Sequence, residues 1–235
     1  MSLRDTAIVA YAETKVMQKS DRDVWELDAE VLESLLDKSG FEKAEIDGLV
    51  MAGLSSTGAG DPFWAQTTAD ELGLELDFCE EVHIGGCSAT GCVARAAAAI
   101  DAGLCTTAML LFADTGVAES NRRDRNYRRE WTDPCGLLGP PGAFGLLSRR
   151  YEHQYGLDYE MLGKLAVTQR SHAVMNENAC EKLRKPISIA DYMNSRMIAD
   201  PIRLLDCVMR CDAASGLLMT SQRRAKEKGI AKFVN

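Results

Sequence analysis

Long apolar runs are missing from this sequence: no stretch approaches the ~20 residues with which a helix crosses a bilayer. The opening "MSLRDTAIVAYAETK" also lacks the charged-then-apolar order of a secretory leader. Together these absences point to a cytoplasmic protein. Positive charge is in short supply as well, with 27 lysines and arginines against 35 aspartates and glutamates. A formal net charge of -8 argues against a general affinity for nucleic acid, because phosphate binding needs a concentrated basic surface. No CxxC pair occurs among the eight cysteines; Cys87 and Cys92 are five apart, Cys207 and Cys211 four apart. That spacing offers no zinc site, and without an export signal the thiols are expected to stay reduced. The "STGAGD" at 56–61 contains a short GxG but no GxGxxG after a strand, so a dinucleotide site is not expected either.

What is present is the material of an ordinary globular domain: 235 residues, of which 46% are hydrophobic and 26% charged, enough to fill a substantial core. "TAIVAYAET" has the pattern of a strand, and Val24, Leu27, Val31, Leu35 and Leu36 mark one helical face in the segment after it. Ser20 is placed to cap that helix and Gly40 to end it. "DGLVMAGLS" predicts a second strand, "DPFWAQTTADELG" a helix entered through Pro62, "LDFCEEVHI" a third strand and "TTAMLLFAD" a fourth. Strands and helices therefore alternate from residue 5 to 114, as in an open α/β sheet. From about residue 115 the chain turns charged and then rich in glycine and proline, which predicts an inserted subdomain carrying two helical stretches, before "CDAASGLLMTSQRRAKEKG" returns to strand and helix. "GIAKFVN" then opens another apolar segment with no partner, the expected look of half of something longer.

The stretch "VHIGGCSATGCVARAAAAIDAG" sets Cys87 between a glycine pair and an alanine-rich helix. In open α/β sheets ligands bind beyond the carboxyl ends of strands, and Cys87 lies just past one such end. A helix N-terminus favours the thiolate, the glycines permit a sharp turn, and Ser88 or Thr90 could cap the helix. Backbone N–H groups there could hold an oxyanion. The plain alternative is that Cys87 is a small residue packed with Ala89 and Cys92.

A cysteine after a strand, one or two small residues, then glycine and an alanine-rich helix, with a long insertion after the next strand, resembles the N-terminal half of a thiolase of the sterol-carrier-protein-linked branch. "SRRYEHQYG", "NENA", "SRMIADPIRLLDC" and "CDAASGLLMTSQRRA" extend the likeness over nearly the whole chain. The resemblance implies an α/β fold, a thiolase-like mixed five-stranded sheet with helices on both faces and an inserted loop subdomain. It places the first part of the α/β domain at 1–114, the loop subdomain at 115–205 and the return at 206–235, with the C-terminal thiolase half absent. It further implies acyl transfer between coenzyme A thioesters through a cysteine acyl-enzyme, with the thioester as substrate and no permanently bound cofactor or metal. Registered on the helix through Arg95, Cys87 takes the nucleophile's place and Thr90 stands where the family has glycine.

Other family features are altered. The histidine and second cysteine that move protons in thiolases belong to the C-terminal half, and none of His83, His153 and His172 sits in a matching motif. His83, in an apparent strand, suits a packed or turn residue better than a base; His153 and Tyr155 are candidates for a substrate pocket; His172 suits a surface or core-edge position. Asp212 is expected to be structural, with Ala213 where the family has glycine. The arginines of "NRRDRNYRRE" could meet coenzyme A phosphates or form a solvated face or dimer surface. The departures leave a second function open, a lipid-binding or aldolase-like subunit of thiolase fold working with a zinc-ribbon and OB-fold partner. Homodimerisation through the sheet near the cysteine is expected in both cases.

Overall fold

The computed structural model describes residues 5–53, 61–117, 129–137 and 139–234. The chain divides into two compact units, residues 1–124 with 211–235, and residues 125–210. In the first unit a five-stranded sheet has the order β1 (Thr6–Glu13), β7 (Ala213–Ser221), β4 (Thr107–Asp114), β2 (Gly48–Ala52), β3 (Phe78–Val82). β2 runs parallel to β3 and β4, whereas β7 is antiparallel to both β4 and β1, so the sheet is mixed.

Side-chain alternation along the strands builds two cores, one on each face. Leu49, Met51, Met109, Leu111 and Leu218 join one cluster with residues of α1 (Val24–Ser39) and α2 (Trp64–Leu72). Val50, Ala108, Leu110 and Met219 join the other with α3 (Ser88–Ala102). The central strands are buried on both sides, which is why they read as unbroken apolar runs.

Helix α1 buries Val24, Leu27, Val31, Leu32 and Leu35, while Leu36 of the expected face is only half-buried. Its cap is Asp23 rather than Ser20: the Asp23 carboxylate accepts from Glu26 N–H at 2.9 Å and Glu26 reciprocates at the Asp23 N–H. The Ser20 hydroxyl is occupied elsewhere, accepting from the Arg22 N–H at 3.0 Å, while the Ser20 N–H donates to Asp212 at 2.9 Å. Gly40 ends the helix in the left-handed region at φ 70°, as its position predicts. α2 begins at Trp64, two residues past Pro62. Against β7 the α1 helix comes so close that a Cβ on Gly216 would stand 2.7 Å from Val31 Cγ1 and 2.9 Å from the Leu110 carbonyl oxygen.

Asp212 is fully buried and ties three segments of this unit. Its carboxylate accepts from the backbone N–H of Ser20 and of Val117, both at 2.9 Å, and its own N–H donates to the Met17 carbonyl at 2.8 Å. This anchorage keeps residues 115–117 with the sheet although the change of composition begins there. α8 (Gln222–Glu227) follows β7, capped by the Ser221 hydroxyl.

The second unit holds α4 (Arg129–Thr132), α5 (Gly139–Tyr155), α6 (Tyr159–Met175), α7 (Ile189–Asn194) and a two-stranded ribbon of β5 (Met197–Ala199) and β6 (Ile202–Arg203). Its anchor is Tyr192, fully buried on α7, which packs where Gly163 of α6 lacks a side chain and donates its hydroxyl to Asp206 at 3.1 Å. Burial and that carboxylate hold the phenol well above its ordinary range. α5 approaches the ribbon through Gly145, where a Cβ would meet the Ala199 carbonyl oxygen at 3.0 Å.

Candidate functional site

Three parallel strands, β2, β3 and β4, end on one edge of the sheet, and the β3–α3 connection rises from that edge. Gly85 turns the chain at φ 68°, a left-handed conformation that costs glycine nothing, and a short 3-10 turn, Gly85–Cys87, leads into α3. Cys87 is itself the N-cap residue and is exposed, which removes the packed alternative. No side chain caps α3. Ser88 is buried, accepting from Ile84 N–H at 3.1 Å and donating to the Gly85 carbonyl at 2.8 Å; the Thr90 hydroxyl donates to the Cys87 carbonyl at 2.9 Å. Both candidate capping hydroxyls therefore shape the turn and leave the first-turn N–H groups without a side-chain acceptor.

Gly91, in the first turn of α3, faces the connection. A Cβ there would stand 2.6 Å from Ile84 Cδ1 and 3.0 Å from Val82 Cγ1, so the Ile84 side chain lies close over the bare α-carbon at 91. Three small residues separate Cys87 from Gly91.

Burial pushes Cys92 up to about 11 and Cys105 up to about 12, and it raises Cys79 and Cys207 as well. Cys135 is exposed like Cys87. Beside the site, Arg95 on α3 makes a two-pronged contact to Glu80 on β3, its Nη2 2.6 Å and its Nε 2.9 Å from Oε1, fixing helix against edge strand.

His83, expected to be a packed or turn residue, stands in the connection after β3. It is the first residue after β3 and its side chain is 60% exposed, with Nε2 3.0 Å from the Glu81 carboxylate. His153 and Tyr155 lie on the last turn of α5 in the second unit, both exposed, with the Tyr155 ring centroid 5.1 Å from that of Tyr151. His172 is exposed on α6. The "STGAGD" glycines and Arg122, Arg123, Arg125 and Arg128 lie outside the described residues, and Arg129 opens α4.

Within the second unit a cavity of about 550 Å³ is lined by Leu183, Ile187, Leu204 and Val208, with Arg170 and Lys182 adding positive charge. Among the described residues, no group of three metal-ligating side chains converges, and no helix is long and apolar enough to cross a membrane.

No family model matches the chain. Among characterised proteins it is similar to the steroid side-chain-cleaving aldolase of Thermomonospora curvata, 30% identical over 233 residues, covering 94% of this chain and 58% of that protein. It is 31% identical to the 17-hydroxy-3-oxo-4-pregnene-20-carboxyl-CoA lyase of Mycobacterium tuberculosis, again over 94% of this chain and 58% of the relative. An acetyl-CoA acetyltransferase of Methanocaldococcus jannaschii is 25% identical over 99% of the chain and 58% of its own length. The chain thus spans somewhat more than half the length of these relatives. The solved Ltp2-ChsH2(DUF35) aldolase superposes with a TM-score of 0.81 at 30% identity, over 95% of this chain and 57% of that one. Human mitochondrial 3-ketoacyl-CoA thiolase, at 11% identity and a TM-score of 0.73, covers 99% of this chain and 68% of its own and shares the fold. With the mixed sheet, the flanking helices and the β3–α3 turn in place, the chain has a thiolase-like fold, and these likenesses support its reading as the N-terminal half of a thiolase-superfamily protein of the sterol-carrier-protein-linked type.

Proposed function

We propose that this chain supplies the thioester site of an aldolase-type lyase that breaks a carbon–carbon bond in a coenzyme A ester, as one component of an assembly with a partner subunit. The observation that carries this reading is the β3–α3 turn. There the Ser88 hydroxyl is buried and hydrogen-bonded on both sides, and Thr90 stands where the thiolase resemblance has glycine, so the turn departs from the acyl-transfer pattern. The two relatives at 30% and 31% identity are an aldolase and a lyase, and the solved aldolase of similar fold is a two-protein assembly, which supports the same direction. Uncapped N–H groups at the start of α3 suit a thioester oxygen that gains negative charge as the bond breaks.

A second reading, acyl transfer through Cys87, is favoured by the exposure of that thiol at the helix start. The two separate cleanly. Incubated with a branched 3-hydroxyacyl-CoA, the lyase releases a carbonyl fragment and Cys87→Ala retains that release. Accumulation of an acyl group on Cys87 without carbonyl release would overturn the lyase reading in favour of acyl transfer. We also propose that the protein is a homodimer paired near β3, the edge strand next to the site.

A further inference from the structure

We propose that Asp28 is a proton-operated latch on the α1–α2 contact: with its carboxyl neutral α2 stays docked, and loss of the proton lets α2 lift away from α1. The latch is independent of the lyase reading. α1 and α2 lie on the face of the sheet opposite α3, so its opening moves no residue of the β3–α3 turn.

β1 and β2 point the same way, because β7 runs antiparallel to both β1 and β4 while β4 runs parallel to β2. The helices that follow them, α1 and α2, pack into one core and therefore run side by side in one direction. Their first turns meet through Trp25 and Trp64, whose ring centroids are 5.6 Å apart. One turn further along stand Asp28 on α1 and Thr68 on α2, both fully buried. The two share one level of the contact, next below the tryptophan pair.

The polar groups gathered here are orphans. Neither Asp28 oxygen, nor the Thr68 hydroxyl, nor the indole N–H of Trp25 or Trp64 has a hydrogen-bond partner among the described residues. Charge gives the carboxyl no support either. β2 and β7 carry no charged residue, and the charged residues of β1, β4 and α2 are Glu13, Asp114, Asp70 and Glu71, all acidic. On the α1 side, Asp23 adds a like charge, Arg22 is paired with Glu30, and Lys38 donates to the Tyr11 carbonyl from the last turn. With neither a cation nor a donor in place, the docked helices hold the neutral acid. Ionisation therefore drives the carboxyl toward water. The cover that can give is α2, nine residues long against sixteen for α1. Lifting it brings water to the carboxylate and to three unpaired donors at once. The protonated fraction falls as pH rises, so docking loosens on the alkaline side of the folded-state value and tightens on the acidic side.

Acrylamide quenching of tryptophan emission reads this directly in a Trp131→Phe chain, which keeps the α1–α2 pair and removes the exposed indole of α4. Quenching should rise severalfold as pH goes from about 5 to about 9, along a one-proton titration and with far-UV circular dichroism unchanged. Asp28→Asn should hold the quenching at its low-pH level throughout. Asp23→Asn keeps a capping side chain while removing the like charge, so the midpoint should move to lower pH. Quenching that stays constant over this range overturns the latch, as does a titration that survives unaltered in Asp28→Asn. A titration accompanied by loss of the circular dichroism signal overturns it too, because the whole domain rather than α2 then opens.

Discussion

Single buried carboxylates carry much of what is distinctive at the residue scale. Asp28 is fully buried on α1, and neither of its carboxyl oxygens has a hydrogen-bond partner. Burial, with a smaller push from Asp23, holds its pKa well above the ordinary carboxylate range. A raised folded-state value means that the native chain binds more protons than the unfolded chain between the two values. Stability should therefore rise as pH falls from neutrality toward the ordinary carboxylate value near ~4. Asp28→Asn should remove that dependence and add roughly 1–3 kcal/mol at pH 7, read from urea unfolding at several pH values. Asp212 is the opposite case, a buried carboxylate whose acceptors are used by Ser20 and Val117. Asp212→Ala leaves those two N–H groups unpaired and should cost about 2–4 kcal/mol in the same assay, with Asp212→Asn recovering part of it.

Elements were legible where one physical rule decided them. The apolar spacing of Val24, Leu27, Val31 and Leu35 fixed α1, and the unbroken runs of β2 and β4 announced strands buried on both faces. Caps were less legible, because Ser20, Asp23, Ser88 and Thr90 all carry suitable side chains and only tertiary contacts decide which is used. The Ser20 hydroxyl accepts from the Arg22 N–H, and the turn claims Ser88. The site was half-visible for the same reason: Cys87 follows from its place after a strand, but the importance of Gly91 depends on what lies over its α-carbon. Gly216 shows how much such a contact is worth. Gly216→Ala would force Val31 and the Leu110 carbonyl apart and should lower stability by about 1–3 kcal/mol, measured by thermal unfolding. Asp23→Ala, which removes the α1 cap, should cost about 1 kcal/mol.

For the whole molecule, the arrangement is a mixed sheet whose parallel strands end together, with the β3–α3 connection on that edge and a separately packed unit inserted between β4 and β7. If the protein pairs through β3, sedimentation should give a dimer at micromolar concentration, and a monodisperse monomer would remove that part of the account. The central claim is that a coenzyme A ester is handled at the carboxyl edge of the parallel strands. The most direct test is the rate of Cys87 alkylation by iodoacetamide, mapped by peptide mass and compared with Cys135, the other exposed thiol, with and without coenzyme A. The account predicts that coenzyme A slows Cys87 severalfold and leaves Cys135 unchanged; equal rates for Cys87 in its presence and absence would contradict it.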